Sequence, residues 1–98
     1  MRFRYELYPK AQQEYENAVE WYANRSFPTA EKFVDEVDSA FATICEFPHR
    51  WKNEYAHYYE YYLKRFPFTI VYSIHAASNS IFILSIFHQR RNPKKRYK

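Results

Sequence analysis

The chain has 98 residues, one cysteine and no glycine, with 15 Lys+Arg against 11 Asp+Glu. That length gives one small domain with a single core, and the lone Cys45 excludes an intrachain disulfide. Without glycine, neither a phosphate-cradling P-loop nor a GxGxxG turn can form, because both need backbone geometry and close approaches that glycine permits.

Residues 2–8 alternate, with Phe3, Tyr5 and Leu7 on one side and Arg2, Arg4 and Glu6 on the other, the pattern of a half-buried strand. Pro9 stops that strand and opens a helix at its first turn. Over residues 10–24, Ala11, Tyr15, Ala18, Val19 and Tyr22 recur at helical spacing, with Glu14, Glu16 and Glu20 expected to face outward. Residues 25–29 read as a short connection. A second helix begins near Pro28 or Thr29 and runs to Glu46, with Ala30, Phe33, Val34, Val37, Phe41 and Ile44 on one stripe, and Pro48 ends it. Cys45 falls in this apolar helix, with no cation near it in sequence, and reads as a small core residue in a reducing compartment.

Residues 49–56 have no period and read as a loop. Residues 58–66 and 68–74 read as strands separated at Phe66-Pro67, and residues 76–80 as a turn made from Asn and Ser. Residues 81–87 are apolar on both faces, as in a strand covered from two sides. The order is βααβββ. It predicts an α+β fold in which a two-helix hairpin packs on one face of a small, mostly antiparallel sheet. One domain spans residues 1–98, ending in a basic tail over 88–98. The N-terminal residues lack the apolar stretch of a signal peptide, and no segment reaches the ~18 apolar residues of a membrane helix, so a cytoplasmic protein with no membrane partner is expected.

Charge follows the same division. Residues 9–46 hold three basic and eight acidic residues, whereas residues 47–98 hold ten basic and two acidic. Six of those cations, Arg90, Arg91, Lys94, Lys95, Arg96 and Lys98, lie in the last eleven residues with no acid among them. Basicity this local points to an anionic partner surface. No residue pattern points to a metal or an organic cofactor.

The Glu20-Trp21-Tyr22 helix end, the Phe66-Pro67-Phe68-Thr69-Ile70-Val71-Tyr72 strand and the closing Ser85-Ile86-Phe87-His88 with Arg91-Asn92-Pro93 carry a resemblance that spans nearly the whole chain. The sequence resembles the RelE/ParE superfamily of type II toxins, and its His-x-x-Arg-Asn-Pro ending is similar to that of the ParE-like branch. The resemblance implies a cytoplasmic, growth-inhibiting toxin of the kind tied to plasmid stabilisation. It also implies a cognate antitoxin partner and thus a hetero-oligomer. The antitoxin segment is expected as a helix on the hairpin or as a strand on a sheet edge. Two targets follow from it: DNA gyrase, inhibited by binding alone, or messenger RNA cut on the ribosome. A non-toxic interaction module with the same fold is a third outcome.

Cleavage by 2′-hydroxyl attack needs a base, an acid and cations for the charge developing on phosphate. The candidates are His88, Arg65, Arg91 and Tyr97, with Glu60 or another histidine as base; none of His49, His57 and His75 is assigned a particular role. Where RelE-type nucleases place an arginine in the third strand of this pattern, this chain has Thr69, and Gln89 occupies an expected basic position. The lysine cluster before the second strand is reduced to Lys52. The constellation is incomplete, and the balance falls on a non-catalytic, gyrase-binding toxin. Contacts with the target or the antitoxin are expected from Arg90, Arg91, Lys94, Lys95 and Arg96 of the tail, with Trp21, Tyr22 and Trp51 as aromatic anchors.

Overall fold

The computed structural model describes residues 2–55 and 57–90, so Arg91, Lys94, Lys95, Arg96 and Tyr97 lie outside the described residues. Strand β1 (Arg4–Leu7) leads through Pro9, the first helical residue, into α1 (Pro9–Ala23). Helix α2 (Phe27–Glu46) follows after a three-residue connection. Its N-cap is Ser26, whose hydroxyl accepts from the Thr29 amide at 3.4 Å and satisfies one orphan donor of the first turn. Strands β2 (Lys52–Tyr55), β3 (Tyr58–Tyr62), β4 (Phe68–His75) and β5 (Ser80–His88) complete the chain. A 3₁₀ turn over Ala76–Ser78 joins β4 to β5, and Asn79 closes it at φ 56°. Asparagine tolerates that left-handed backbone, which is how a chain without glycine makes the turn.

The five strands lie in the order β1-β5-β4-β3-β2. β1 pairs parallel to β5 and every other pair is antiparallel. The predicted fold class therefore holds, with one added strand. β2 lies in the stretch read as a loop, because Lys-Asn-Glu-Tyr has no apolar alternation and its pairing with β3 is interrupted between Asn53 and Tyr55. It forms an edge strand, where polar side chains are ordinary.

The core lies between one face of the sheet and the helix hairpin. Ala11 and Ala18 of α1 are small enough for close approach, and Phe33, Val37, Phe41 and Ile44 of α2 meet Phe68, Ile70, Tyr72, Ile81, Ile83 and Ile86. The spacing of the three β5 residues needs explanation, since Ile83 and Ile86 are an odd number apart and should face opposite ways. The register supplies it. Tyr72 pairs with Ile83 and Val71 with Ser85, leaving Leu84 as an extra residue in a β-bulge. The bulge turns Ile86 back to the helix side, so β5 is apolar on both faces in sequence because its alternation resets midway.

Ionisation of the tyrosines sets the alkaline limit of the fold. Tyr72 is fully buried, and its hydroxyl donates to the Pro48 carbonyl oxygen at 2.6 Å. Burial pushes the Tyr72 phenol well up, and burial also raises Tyr5, Tyr15 and Tyr61. The folded state thus holds these protons longer than the unfolded chain. Stability is fully present below the ordinary tyrosine value of about 10 and falls as pH rises above it. Urea midpoints should decline as pH rises from about 9 to about 11, the buried Cys45 thiol, also raised by burial, acting in the same direction at the lower end; a rise there would contradict the buried, neutral phenols.

Candidate functional site

The sheet face turned away from the helices carries the polar side chains. Cross-strand pairing places Glu60 opposite Val71, Tyr62 opposite Thr69, and Thr69 opposite Phe87, so these residues share that face. Lys52 pairs with Glu60 and joins them from β2. Its ammonium lies 6.0 Å from the centre of the Tyr62 ring. Glu60 is 1% exposed, and its Oε1 accepts from the Tyr62 hydroxyl at 2.8 Å. That bond holds the Tyr62 ring at the surface beside Thr69.

Thr69 is also 1% exposed, and its Oγ1 has no hydrogen-bond partner. It forms part of the wall of a cavity of about 450 Å³ together with Tyr62, Leu63, Phe87 and Gln89. Gln89 is pinned at the rim, its backbone amide donating to Pro67 O at 2.7 Å and its side-chain amide to Phe68 O at 3.3 Å. The described lining residues carry no formal charge.

His88 is not on this face. It pairs with Phe68, and its ring packs edge-on against that ring at 5.2 Å, on the helix side of the sheet. Its Nδ1 accepts from the Arg90 amide at 3.1 Å, so the neutral ring carries its proton on Nε2. Arg65 lies in the exposed turn between β3 and β4, where its amide and that of Lys64 donate to Glu36 Oε2 at 3.1 and 2.6 Å. The nuclease candidates therefore fall in three places: Glu60 on the far face, His88 on the helix face, Arg65 in a turn. Arg91 and Tyr97 lie outside the described residues.

The proposed aromatic anchors also separate. Trp21 is exposed on α1, with the Arg25 guanidinium 3.6 Å above its ring. Tyr22 is half-buried against Trp21, Phe33, Phe66 and Phe68 and serves the core. Trp51 is half-buried and packs edge-on against Tyr61 at 4.7 Å, with its indole N–H buried and without a hydrogen-bond partner. Arg90 is exposed just beyond β5. Phe27, 67% exposed at the start of α2, is a large apolar surface residue that sequence reading passed over. Nothing in a helical stripe marks a first-turn residue as uncovered.

Glu14 was expected to face outward and does not. It is half-buried, and its Oε1 accepts from the Ser85 hydroxyl at 2.8 Å and the Ile86 amide at 3.0 Å. β1 ends at Leu7, opposite Ile83, so β5 runs on without a neighbour on that side. The Glu14 carboxylate takes the place of the missing strand.

Among the described residues no cluster of His, Cys, Asp or Glu could hold a metal ion, and no helix is long and apolar enough to cross a membrane. A helix hairpin on a five-stranded mixed sheet, with this βαα opening, is the fold of the RelE/ParE superfamily of type II toxins. Residues 5–93 match the family described as the ParE toxin of the type II toxin-antitoxin system parDE, and the chain belongs to that family. Among solved structures it is similar to the chromosomal ParDE toxin-antitoxin system from P. aeruginosa, with TM-score 0.74 at 18% identity over 89% of this chain and 96% of that one. It is also similar to the intact E. coli RelBE toxin-antitoxin complex, with TM-score 0.64 at 13% identity over 91% and 99%. The RelBE2 complex from Mycobacterium tuberculosis follows at TM-score 0.59 and 15% identity over 90% and 99%. No curated protein sequence matches the chain.

Proposed function

We propose that this chain is a toxin that acts by binding DNA gyrase and carries no nuclease activity, and that a cognate antitoxin neutralises it. The observation that carries this reading is the composition of the far sheet face. Mid-strand, where phosphate chemistry calls for a fixed guanidinium, stands the hydroxyl of Thr69, and the described cavity wall around it is uncharged. Glu60, the candidate base, gives one oxygen to Tyr62, and His88, the candidate acid, is packed on the other side of the sheet. Acid–base catalysis needs both groups within hydrogen-bond reach of one substrate. Membership of the ParE family supports the same target, and the toxin-antitoxin complexes among its structural neighbours support an antitoxin partner.

Lys52, Tyr62 and Glu60 on one face are the observation that favours the alternative, a ribosome-dependent endoribonuclease. Induction of the chain without antitoxin separates the two. Growth should arrest while primer extension on translated messages reveals no new 5′ ends. New ends within minutes of induction would establish cleavage and remove the binding-only reading. Unimpaired growth would assign the chain instead to a non-toxic interaction module.

A further inference from the structure

Strand β1 bounds one side of the sheet, and among the described residues no other strand covers its outer edge. The Arg4 amide donates to Asn79 O at 3.0 Å and the Tyr8 amide to Ile83 O at 2.9 Å, so these alternate residues turn their backbone groups toward β5. Tyr5 and Leu7, one step out of phase, turn theirs to the open side. The Phe3 amide shares that side and is taken by Cys45 O at 3.0 Å, so the open donors start beyond it. An unpaired edge is a template for a further strand, and folds usually blunt it. The opposite edge, β2, is blunted: it carries Lys52, and its pairing is interrupted between Asn53 and Tyr55. β1 has no such break, with Arg4, Tyr5, Glu6 and Leu7 in continuous register on β5.

The side chains decide which strand fits. Arg4, Tyr5 and Glu6 are all exposed, Tyr5 at 46%. Arg4 and Glu6 stand two residues apart on the sheet face away from the helices, while Tyr5 lies on the other face, its ring 4.7 Å from that of Phe41. Opposite charges at this spacing are self-complementary in an antiparallel pair. A two-fold axis at Tyr5 sets Arg4 of each copy opposite Glu6 of the other. An axis at Arg4 or at Glu6 opposes like charges, as does parallel pairing in register, and an axis between residues mixes the two faces. The Tyr5 register also sets Phe3 against Leu7, both half-buried and apolar, and Arg2 against the exposed ring of Tyr8.

We propose that β1 is a self-association edge, on which a second copy of this chain adds its own β1 antiparallel about Tyr5. The five-stranded sheet then continues into its copy. The Tyr5 amides and carbonyls exchange hydrogen bonds across the axis, and each Leu7 amide donates to the Phe3 carbonyl opposite. Arg4 Nη2 keeps its bond to Ser78 O at 3.2 Å, and the guanidinium has donors left for the facing Glu6. This interface is independent of the target and lies at the other side of the sheet from β2.

Sedimentation equilibrium of the purified full chain tests it. A short ladder makes a weak dimer, so the average mass should rise from monomer toward dimer as the concentration approaches about 1 mM. Arg4→Glu and Glu6→Arg each turn both opposed pairs into like-charge pairs, and each should raise the dissociation constant on the order of tenfold or more. An equimolar mixture of these two variants should recover the association, because one edge is then acidic and the other basic. The double variant Arg4→Glu/Glu6→Arg should recover it alone. In the wild type the Tyr5 and Leu7 amides should gain hydrogen-exchange protection as concentration rises, a readout that needs no variant to fold. A chain that stays monomeric throughout, or a dimer that leaves those amides unprotected, overturns the proposal. So does a dimer indifferent to either charge reversal, or a mixture of folded variants that remains monomeric. The samples contain no gyrase and no antitoxin, so failure here and failure of gyrase inhibition are separate results.

Discussion

Phe33→Ala is expected to destabilise the chain by about 3–5 kcal/mol, the cost of removing a large ring from a packed core. Phe33 is fully buried on α2, and its ring lies 5.1 Å from Tyr22, 5.2 Å from Phe66, 5.2 Å from Phe68 and 6.2 Å from Tyr15. It therefore joins both helices to the turn that starts β4. A small domain commonly has only ~5–15 kcal/mol of total stability, so the loss takes a large share of it. In a chain of this size it should lower the melting temperature by on the order of 15 °C or more. Phe27→Ala is the matched control, since that ring is mostly exposed and its loss should change stability by less than about 0.5 kcal/mol. Urea denaturation of the two variants beside the parent decides the matter. Equal midpoints for both variants would contradict the position of Phe33 at the centre of the aromatic core.

Glu14→Ala is expected to cost about 2–3 kcal/mol, although helical periodicity places Glu14 outside the apolar stripe. The substitution leaves the Ile86 amide and the Ser85 hydroxyl without their shared acceptor, at the point where β5 has lost β1 as a neighbour. Glu14→Gln keeps one acceptor oxygen and should lose roughly half as much. Alanine at Glu16, which is exposed and bonded only to the Gln12 side chain, should be nearly silent. Amide hydrogen exchange adds a local readout: Ile86 should lose protection in Glu14→Ala before the rest of β5 does. If Ile86 stays as protected as Ile83, the carboxylate is not its partner in solution.

These two residues mark what could be read from the sequence and what could not. The α2 stripe was legible, since Phe33, Val37, Phe41 and Ile44 repeat at helical spacing and all four are buried. So were the breaks at Pro9 and Pro48 and the order of the elements other than β2. Glu14 was not, because its direction depends on where β1 stops, a fact of tertiary structure. The bulge at Leu84 was hidden for a related reason: an apolar run gives no sign of where its alternation resets. β2 was missed because an edge strand can be polar throughout.

In the candidate site, Thr69 and Gln89 could be noticed as departures from a nuclease pattern. That they meet at one cavity, and that His88 faces away from Glu60, required the register of β4 against β3 and β5. The basic residues of the tail beyond Arg90 lie outside the described residues.

Gyrase supercoiling with the purified chain tests the central claim most directly. Relaxed plasmid is incubated with gyrase, ATP and increasing amounts of the protein. Supercoiling should fall to a plateau as the chain saturates the enzyme, and pre-incubation with the cognate antitoxin should restore it. Full supercoiling at a large molar excess of folded chain would contradict gyrase as the target.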